Sequence, residues 1–431
     1  MAERSFLGDM LTTLFERRQA DQAASDERSL PDLCRALLDA EGEVSGIRLA
    51  QTILDRYGTL DDAGRRDFFT FLNDDLEINV NALGAAAARY AETNDLKDYQ
   101  AMVAQTETRR WELFRRLNMP MGATRALVEM RRHLLVALKD QPDLKRTDID
   151  FRHLLRSWFN RGFLVLRQIS WETPASILEK IVEYEAVHAI ESWDDLRRRL
   201  YPQDRRCFAY FHPAMPEEPL IFVEVALTQA VPDSIQGVLA EDRAPVEARE
   251  TTTAVFYSIS NCQQGLTGIS FGNFLIKQVV EELKAELPGL TTFVTLSPIP
   301  RLNAWLRTQP EDDTTARVLA NVATEDEVRD TAAAYLRHAK TSKGLPFDPV
   351  ARFHLGNGAQ IYAVHGNGDT SPNGIQQSSG AMVNYHYDLT KIEANHERFQ
   401  QSGEVALDDA FQQSQSPAKT RIIPGRQRIA S

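Results

Sequence analysis

The stretch that most constrains this chain is residues 254–305, AVFYSISNCQQGLTGISFGNFLIKQVVEELKAELPGLTTFVTLSPIPRLNAW. Its first six residues are an apolar, β-rich run that predicts a buried strand. Gly265, Gly268 and Gly272 then predict a turn. Phe274, Leu275, Val279, Val280, Leu283 and Leu287 recur at helical spacing, and Pro288 with Gly289 closes that helix. Residues 291–296 return as a second strand, which Ser297 and two prolines leave. A strand, glycine turn, helix and strand in this order can cradle a phosphate, because glycine admits backbone N–H groups close to an anion and a helix start is partly positive. The spacing is neither G-x-G-x-x-G nor G-x-x-x-x-G-K-[ST], so neither a Rossmann nor a P-loop site is indicated. On the glycines alone, a tight packed turn explains the pattern as well as an anion cradle does.

A length of 431 residues predicts two or three domains. The formal charge of −12 argues against a nucleic-acid partner. Cys34, Cys207 and Cys262 are odd in number, widely spaced and outside any C-x-x-C, which predicts a reducing compartment and no disulfide framework. No run of 18 apolar residues is present, so no membrane span is expected. Residues 1–19 are amphipathic without the apolar core of a secretory signal, and are read as a first helix of a cytoplasmic protein. None of the nine histidines forms H-E-x-x-H or a comparable spacing, so no metal is expected. The absence of G-x-S-x-G disfavours an α/β-hydrolase.

In chain order, residues 1–160 carry helical periodicity throughout, with helices expected at 33–38, 45–57, 60–76, 82–91, 96–117, 122–138 and 148–159. Residues 109–116 (RRWELFRR) and 130–133 are read as solvated charged faces of such helices. The texture changes near Phe163. Residues 163–169 predict a strand, 177–182 a helix, and 207–211 with 220–227 an antiparallel hairpin, so the sheet should be mixed. Residues 350–359 are read as ending a helix at Gly356 or Gly358, 360–364 as a strand and 381–387 as a strand or turn. Beyond Leu389 the chain is polar, and 391–431 is read as a partly flexible tail ending in a basic stretch. The expected fold is therefore α+β: a helical domain at 1–160, a mixed-sheet domain at 161–390 and the tail.

Ser297 stands where a strand ends, and is either a turn or cap serine or a hydroxyl displayed at the sheet's carboxyl edge. His354 is either a satisfied core or capping histidine or a functional imidazole. Tyr385 and Tyr387 are read as facing opposite sides of a strand, one in the core and one in a cleft, and Ser258 and Ser260 likewise.

These residues carry a resemblance. Tyr257-Ser258-Ile259-Ser260, Gln263-Gln264-Gly265-Leu266, Leu296-Ser297-Pro298-Ile299-Pro300, Phe353-His354-Leu355 and Asn384-Tyr385 with Tyr387, together with Glu185-Ala186-Val187-His188, resemble the malonyl-CoA decarboxylase family in order from Phe163 to Tyr387. The resemblance implies a helical domain used in oligomer contacts, a homo-oligomer of tetramer type, and a catalytic domain similar to the N-acetyltransferase fold that binds acyl-CoA where its strands splay. It implies decarboxylation of malonyl-CoA to acetyl-CoA and carbon dioxide in fatty acid metabolism, with no metal or organic cofactor. By the same carry-over Ser297, His354 and Tyr387 are catalytic, and Ser258 with Gly265, Gly268, Ser270 and Gly272 binds substrate. Animal relatives carry a glutamate where this chain has Ser270, so a carboxylate that would orient His354 is missing at that place. The chain ends Ile-Ala-Ser rather than in a peroxisomal tripeptide, as expected of a bacterial cytoplasmic enzyme. An acyltransferase or hydrolase on the same fold, or a CoA-binding scaffold without turnover, are the rival expectations.

Overall fold

The computed structural model describes residues 26–269, 275–310 and 312–414. The amphipathic segment 1–19, the basic end of the tail, Ser270, Gly272 and Phe274 lie outside the described residues. By internal contacts the chain forms two units. The first runs to Phe163 and also takes the short segments 212–216 and 263–269; the second takes the rest.

The first unit is helical because its sequence repeatedly pairs an N-cap side chain with an apolar stripe. Ser29, Asp61, Asn79, Asp95 and Thr108 each accept a backbone N–H at the start of a helix. Leu33, Phe69, Leu72, Phe114, Leu127, Leu134 and Leu155 form the buried interior. The single helix expected over 96–117 is two, Leu96–Thr106 and Arg109–Leu117. Thr108 causes the break, since its hydroxyl accepts the N–H of Trp111 and competes with helix continuation. The charged faces expected at 109–116 and 130–133 need a second correction. Arg110 is 1% exposed, donating to Asp150 at 2.8 Å and to the carbonyls of Leu72 and Asn73 at 2.8 Å each. Arg131 is equally buried, on Asp148 at 2.9 Å. A guanidinium can be interior when carboxylates and orphan helix carbonyls meet its five N–H groups, which periodicity does not reveal.

The second unit is built on one eight-stranded sheet: β1 (Val165–Ile169), β2 (Arg205–Phe211), β3 (Ile221–Thr228), β4 (Thr253–Asn261), β5 (Thr292–Thr295), β6 (Ser297–Pro298), β7 (Gln360–His365) and β8 (Met382–His386). The order is β1-β2-β3-β4-β5-β8-β6, with β7 also on β8. Neighbours are antiparallel except β4 and β5, which are parallel, as the crossover helix Leu275–Glu286 between them requires. One face packs on helices Ala175–Tyr184 and Trp193–Leu200 through Ile177, Ile181, Leu196, Cys207 and Phe222. Further along the same face, Ala226, Val255 and Val294 pair across β3, β4 and β5 and bury with Tyr257, Leu296 and Met382.

Two features of this sheet position the site. β4 and β5 pair only from Thr253↔Thr292 to Phe256↔Thr295, closed by Leu296 N–H on the Phe256 carbonyl at 2.9 Å. Beyond that point β4 continues on β3 while the chain of β5 turns into β6 and pairs with β8, so the two strands part. In addition, Tyr257 is an extra residue opposite the Glu224/Val225 step of β3, a bulge at the point of parting. The tail differs from expectation: helices Ile392–Ser402 and Asp409–Ser414 follow Leu389, with Phe399 and Phe411 buried. Two aromatics in a polar stretch are enough to dock it, a signal that average polarity hides.

Candidate active site

Ser297 sits at the start of β6, where β5 has just left β4. His354 is delivered by helix Pro349–Gly356. That helix is set by Asp348, whose carboxylate accepts the N–H groups of Val350 and Ala351, and by Pro349 at its first position. Gly358 ends the segment at φ +84°, and a Cβ there would lie 2.2 Å from the Ile392 carbonyl oxygen, so only glycine fits.

The three side chains expected to be catalytic are brought together. Ser297 Oγ lies 3.2 Å from His354 Nε2, and His354 Nδ1 lies 2.8 Å from the Tyr387 hydroxyl. All three are buried. Ser297 donates to Thr295 Oγ1 at 2.8 Å, and the same oxygen accepts the N–H of Tyr385 at 3.1 Å. The ring of Tyr385 stacks on His354, 4.7 Å between centroids and 22° between planes. Tyr385 and Tyr387 thus flank one imidazole, correcting the expectation that they face opposite sides. Residues two apart share a strand face.

Burial sets the charge state. It pushes the His354 imidazole down to about 3, so the ring is neutral near pH 7, one nitrogen donating and the other accepting. Burial likewise pushes the Tyr387 hydroxyl well above its usual range, keeping its proton on oxygen. Against this, His354 stands in the last turn of its helix, where unpaired carbonyls favour a positive imidazole. The site therefore holds a neutral base whose protonation needs an added negative charge.

A second polar cluster lies on β4. Ser258 donates to the Glu185 carboxylate at 2.7 Å, and Ser260 contacts the same oxygen at 3.3 Å. Glu185 also accepts the N–H groups of Val187 and His188, each at 2.8 Å. Ser258 and Ser260 consequently share one side, the same correction as for the tyrosines. With its proton on Glu185, Ser258 has lone pairs left to offer and no donor.

The expected substrate glycines fare differently. The described glycines of the turn lie in the helical unit, where Gln264–Leu266 form one 3₁₀ turn. A Cβ on Gly265 would stand 1.9 Å from the Val128 carbonyl oxygen, so that glycine is needed for close packing. Gly268 has φ +75° and open space apart from the guanidinium of Arg152.

Thr295 was not singled out from sequence, and Tyr385 and Glu185 were named there, one in a strand pair and one in a motif, without a role. The period-2 relation of Thr295 to Ser297 was the available signal for the first, and shared parity with Tyr387 for the second. The Glu185 motif does not reveal its serine partners, which are 73 and 75 residues away.

A mixed sheet whose one parallel pair parts beside a buried Ser–His–Tyr chain defines an α+β domain with a polar site where the strands separate. The comparisons narrow this class. The malonyl-CoA decarboxylase C-terminal domain matches residues 162–328 and 319–423, and the N-terminal domain of the same name matches 77–159. This chain belongs to the malonyl-CoA decarboxylase family. It is 47% identical to the malonyl-CoA decarboxylase of Rhodopseudomonas palustris, whose crystal structure matches with a TM-score of 0.84 over 89% of this chain and 98% of that one. The enzyme of Agrobacterium vitis is 46% identical, with a TM-score of 0.83 over 90% and 99% of the two chains. Mitochondrial malonyl-CoA decarboxylase of Anser anser anser is 38% identical over 327 residues, 66% of this chain and 64% of that protein. The match thus spans less than two thirds of that relative's length.

Proposed function

We propose that this protein decarboxylates malonyl-CoA to acetyl-CoA and carbon dioxide. The observation that carries this is the buried chain Tyr387–His354–Ser297 at the parting of β4 and β5. Cleavage of the C–C bond releases carbon dioxide and leaves an electron pair that the thioester carbonyl accepts as an enolate. One proton must then reach the carbon. Ser297 hydrogen-bonds the malonyl group. The malonyl carboxylate, entering a water-poor site, raises the affinity of His354 for a proton, so substrate and proton arrive together. In the imidazolium both nitrogens donate, Nε2 to Ser297 Oγ and Nδ1 to the Tyr387 oxygen. As the enolate carbon takes a proton from Ser297, Ser297 recovers one from Nε2, and the imidazole returns to its neutral resting state. Tyr387 keeps its own proton and holds the ring. Ser258 accepts from a donor on the thiol arm; Gly268, Ser270 and Gly272 remain candidate phosphate-binding residues by family resemblance, and Gly265 serves packing. The helical unit is read as the oligomer contact. Exposed Val80 and Leu96 on helices that bury almost nothing support that reading, as a homo-oligomer needs an apolar surface to cover.

The test is release of labelled carbon dioxide from malonyl-CoA by purified protein. Ser297→Ala and His354→Ala should each lower kcat by at least ~100-fold, the usual scale of acid–base and oxyanion contributions. Near-wild-type turnover in both variants would remove the pair from the chemistry, and acyl transfer or hydrolysis without carbon dioxide would favour the rival reactions.

A further inference from the structure

The helical unit holds an excess of arginine beside the glycine turn that the chemistry above does not use. Asp148, Arg152 and Arg156 follow one another at four-residue spacing on helix Lys145–Trp158, so they share one face. Asp148 is committed to Arg131 at 2.9 Å. Arg131 also donates to the carbonyls of Gly265 at 2.6 Å and Thr267 at 3.0 Å, holding those oxygens inward. Arg152 stands over Gly268: a Cβ built on that glycine would be 3.9 Å from its Nη2 and 4.0 Å from its Nε. Its Nε is buried and has no hydrogen-bond partner among the described residues. Arg152 and Arg156 have no carboxylate partner among the described residues, and residues 262–273 contain no Asp or Glu to answer them. The charges feel one another, since burial first, and Arg152 and Arg156 after it, hold the Arg131 guanidinium below its usual value against the pull of Asp148. A buried guanidinium N–H without an acceptor is costly, and the planar fork of arginine fits a phosphate oxygen pair.

We propose that Arg152, backed by Arg156 and set against the turn at Gly268, is a binding station for a phosphate group. Only the carrier of that phosphate rests on the function proposed above, under which it is the CoA end of the substrate. Arg131 positions the turn and keeps its carbonyl oxygens away from the anion, and the missing side chain at Gly268 lets the Arg152 guanidinium lie against the turn.

Equilibrium binding separates this from the catalytic reading, because it needs no turnover. CoA, 3′-dephospho-CoA and pantetheine, the same thiol arm without phosphate, would be titrated calorimetrically into the full-length protein. Arg152→Gln should weaken CoA binding by about tenfold to a hundredfold, the scale of one lost charge-assisted contact, and leave pantetheine unaffected. If dephospho-CoA loses as much as CoA, the station holds the diphosphate; if it loses nothing, the station holds the 3′-phosphate. Arg156→Gln, at an exposed position, should give a smaller loss with the same ligand pattern, and it decides the matter should Arg152→Gln not fold. CoA affinity unchanged in both variants, or an equal loss for pantetheine, overturns the proposal.

Discussion

At the scale of single residues, the direction of hydrogen bonding around Ser297 depends on Thr295. Its oxygen accepts from both Ser297 and the Tyr385 amide, so at rest the serine proton points away from the imidazole. Thr295→Val keeps the shape and removes the acceptor. It should lower kcat about tenfold with little change in KM, as a lost neutral hydrogen bond in a positioning role would, and Thr295→Ser should restore activity. Steady-state kinetics on malonyl-CoA checks both. His354 makes a pH prediction. Its folded affinity for protons, about 3, lies below the unfolded value near 6.5, so the unfolded chain binds the extra proton. The stability this group contributes is complete above 6.5 and is lost as pH falls from there toward 3, with a slope of at most ~1.4 kcal/mol per pH unit. Urea titrations across that range should show a shallower loss for His354→Gln than for wild type. Ser297, His354 and Tyr387 were legible in the sequence because they belong to uncommon motifs whose order matched a family. Thr295 was not, because a threonine in a strand is ordinary until distant partners meet it, and the motif holding Glu185 gave no hint of its bond to Ser258.

At the scale of elements, the glycine turn shows how one signal can carry two meanings. Gly265 is required by contact with the Val128 carbonyl, whereas Gly268 is required by its positive φ. Gly265→Ala forces backbone against backbone and should cost roughly 3 kcal/mol, the upper range for overpacking, read as a drop in Tm. Strands and helices with strong periodicity were legible: the hairpin of β2 and β3, the crossover helix 275–286 and the helix carrying His354 fall where the pattern put them. What failed was local competition and sparse signal. Thr108 cut a periodic helix, and Phe399 and Phe411 anchored a polar tail. Arg110 and Arg131 read as solvent-facing because a charge pattern carries no record of the carbonyls waiting to receive it.

At the scale of the whole molecule, the two units are not consecutive halves of the chain. Segments 212–216 and 263–269 belong to the helical unit although the strands of the sheet surround them in sequence. A fragment ending at Phe163 lacks the turn whose carbonyls receive Arg131, leaving a buried guanidinium short of two acceptors. Its circular-dichroism melt should be broader and lower than that of the intact protein, and a sharp transition at the same temperature would show that the helices need nothing from the turn. The same threading bears on biosynthesis. On a ribosome the helices emerge first, yet the piece that completes their interior is not translated until β4 has been made, so the earlier unit must wait, unfinished, for the later one to be well under way.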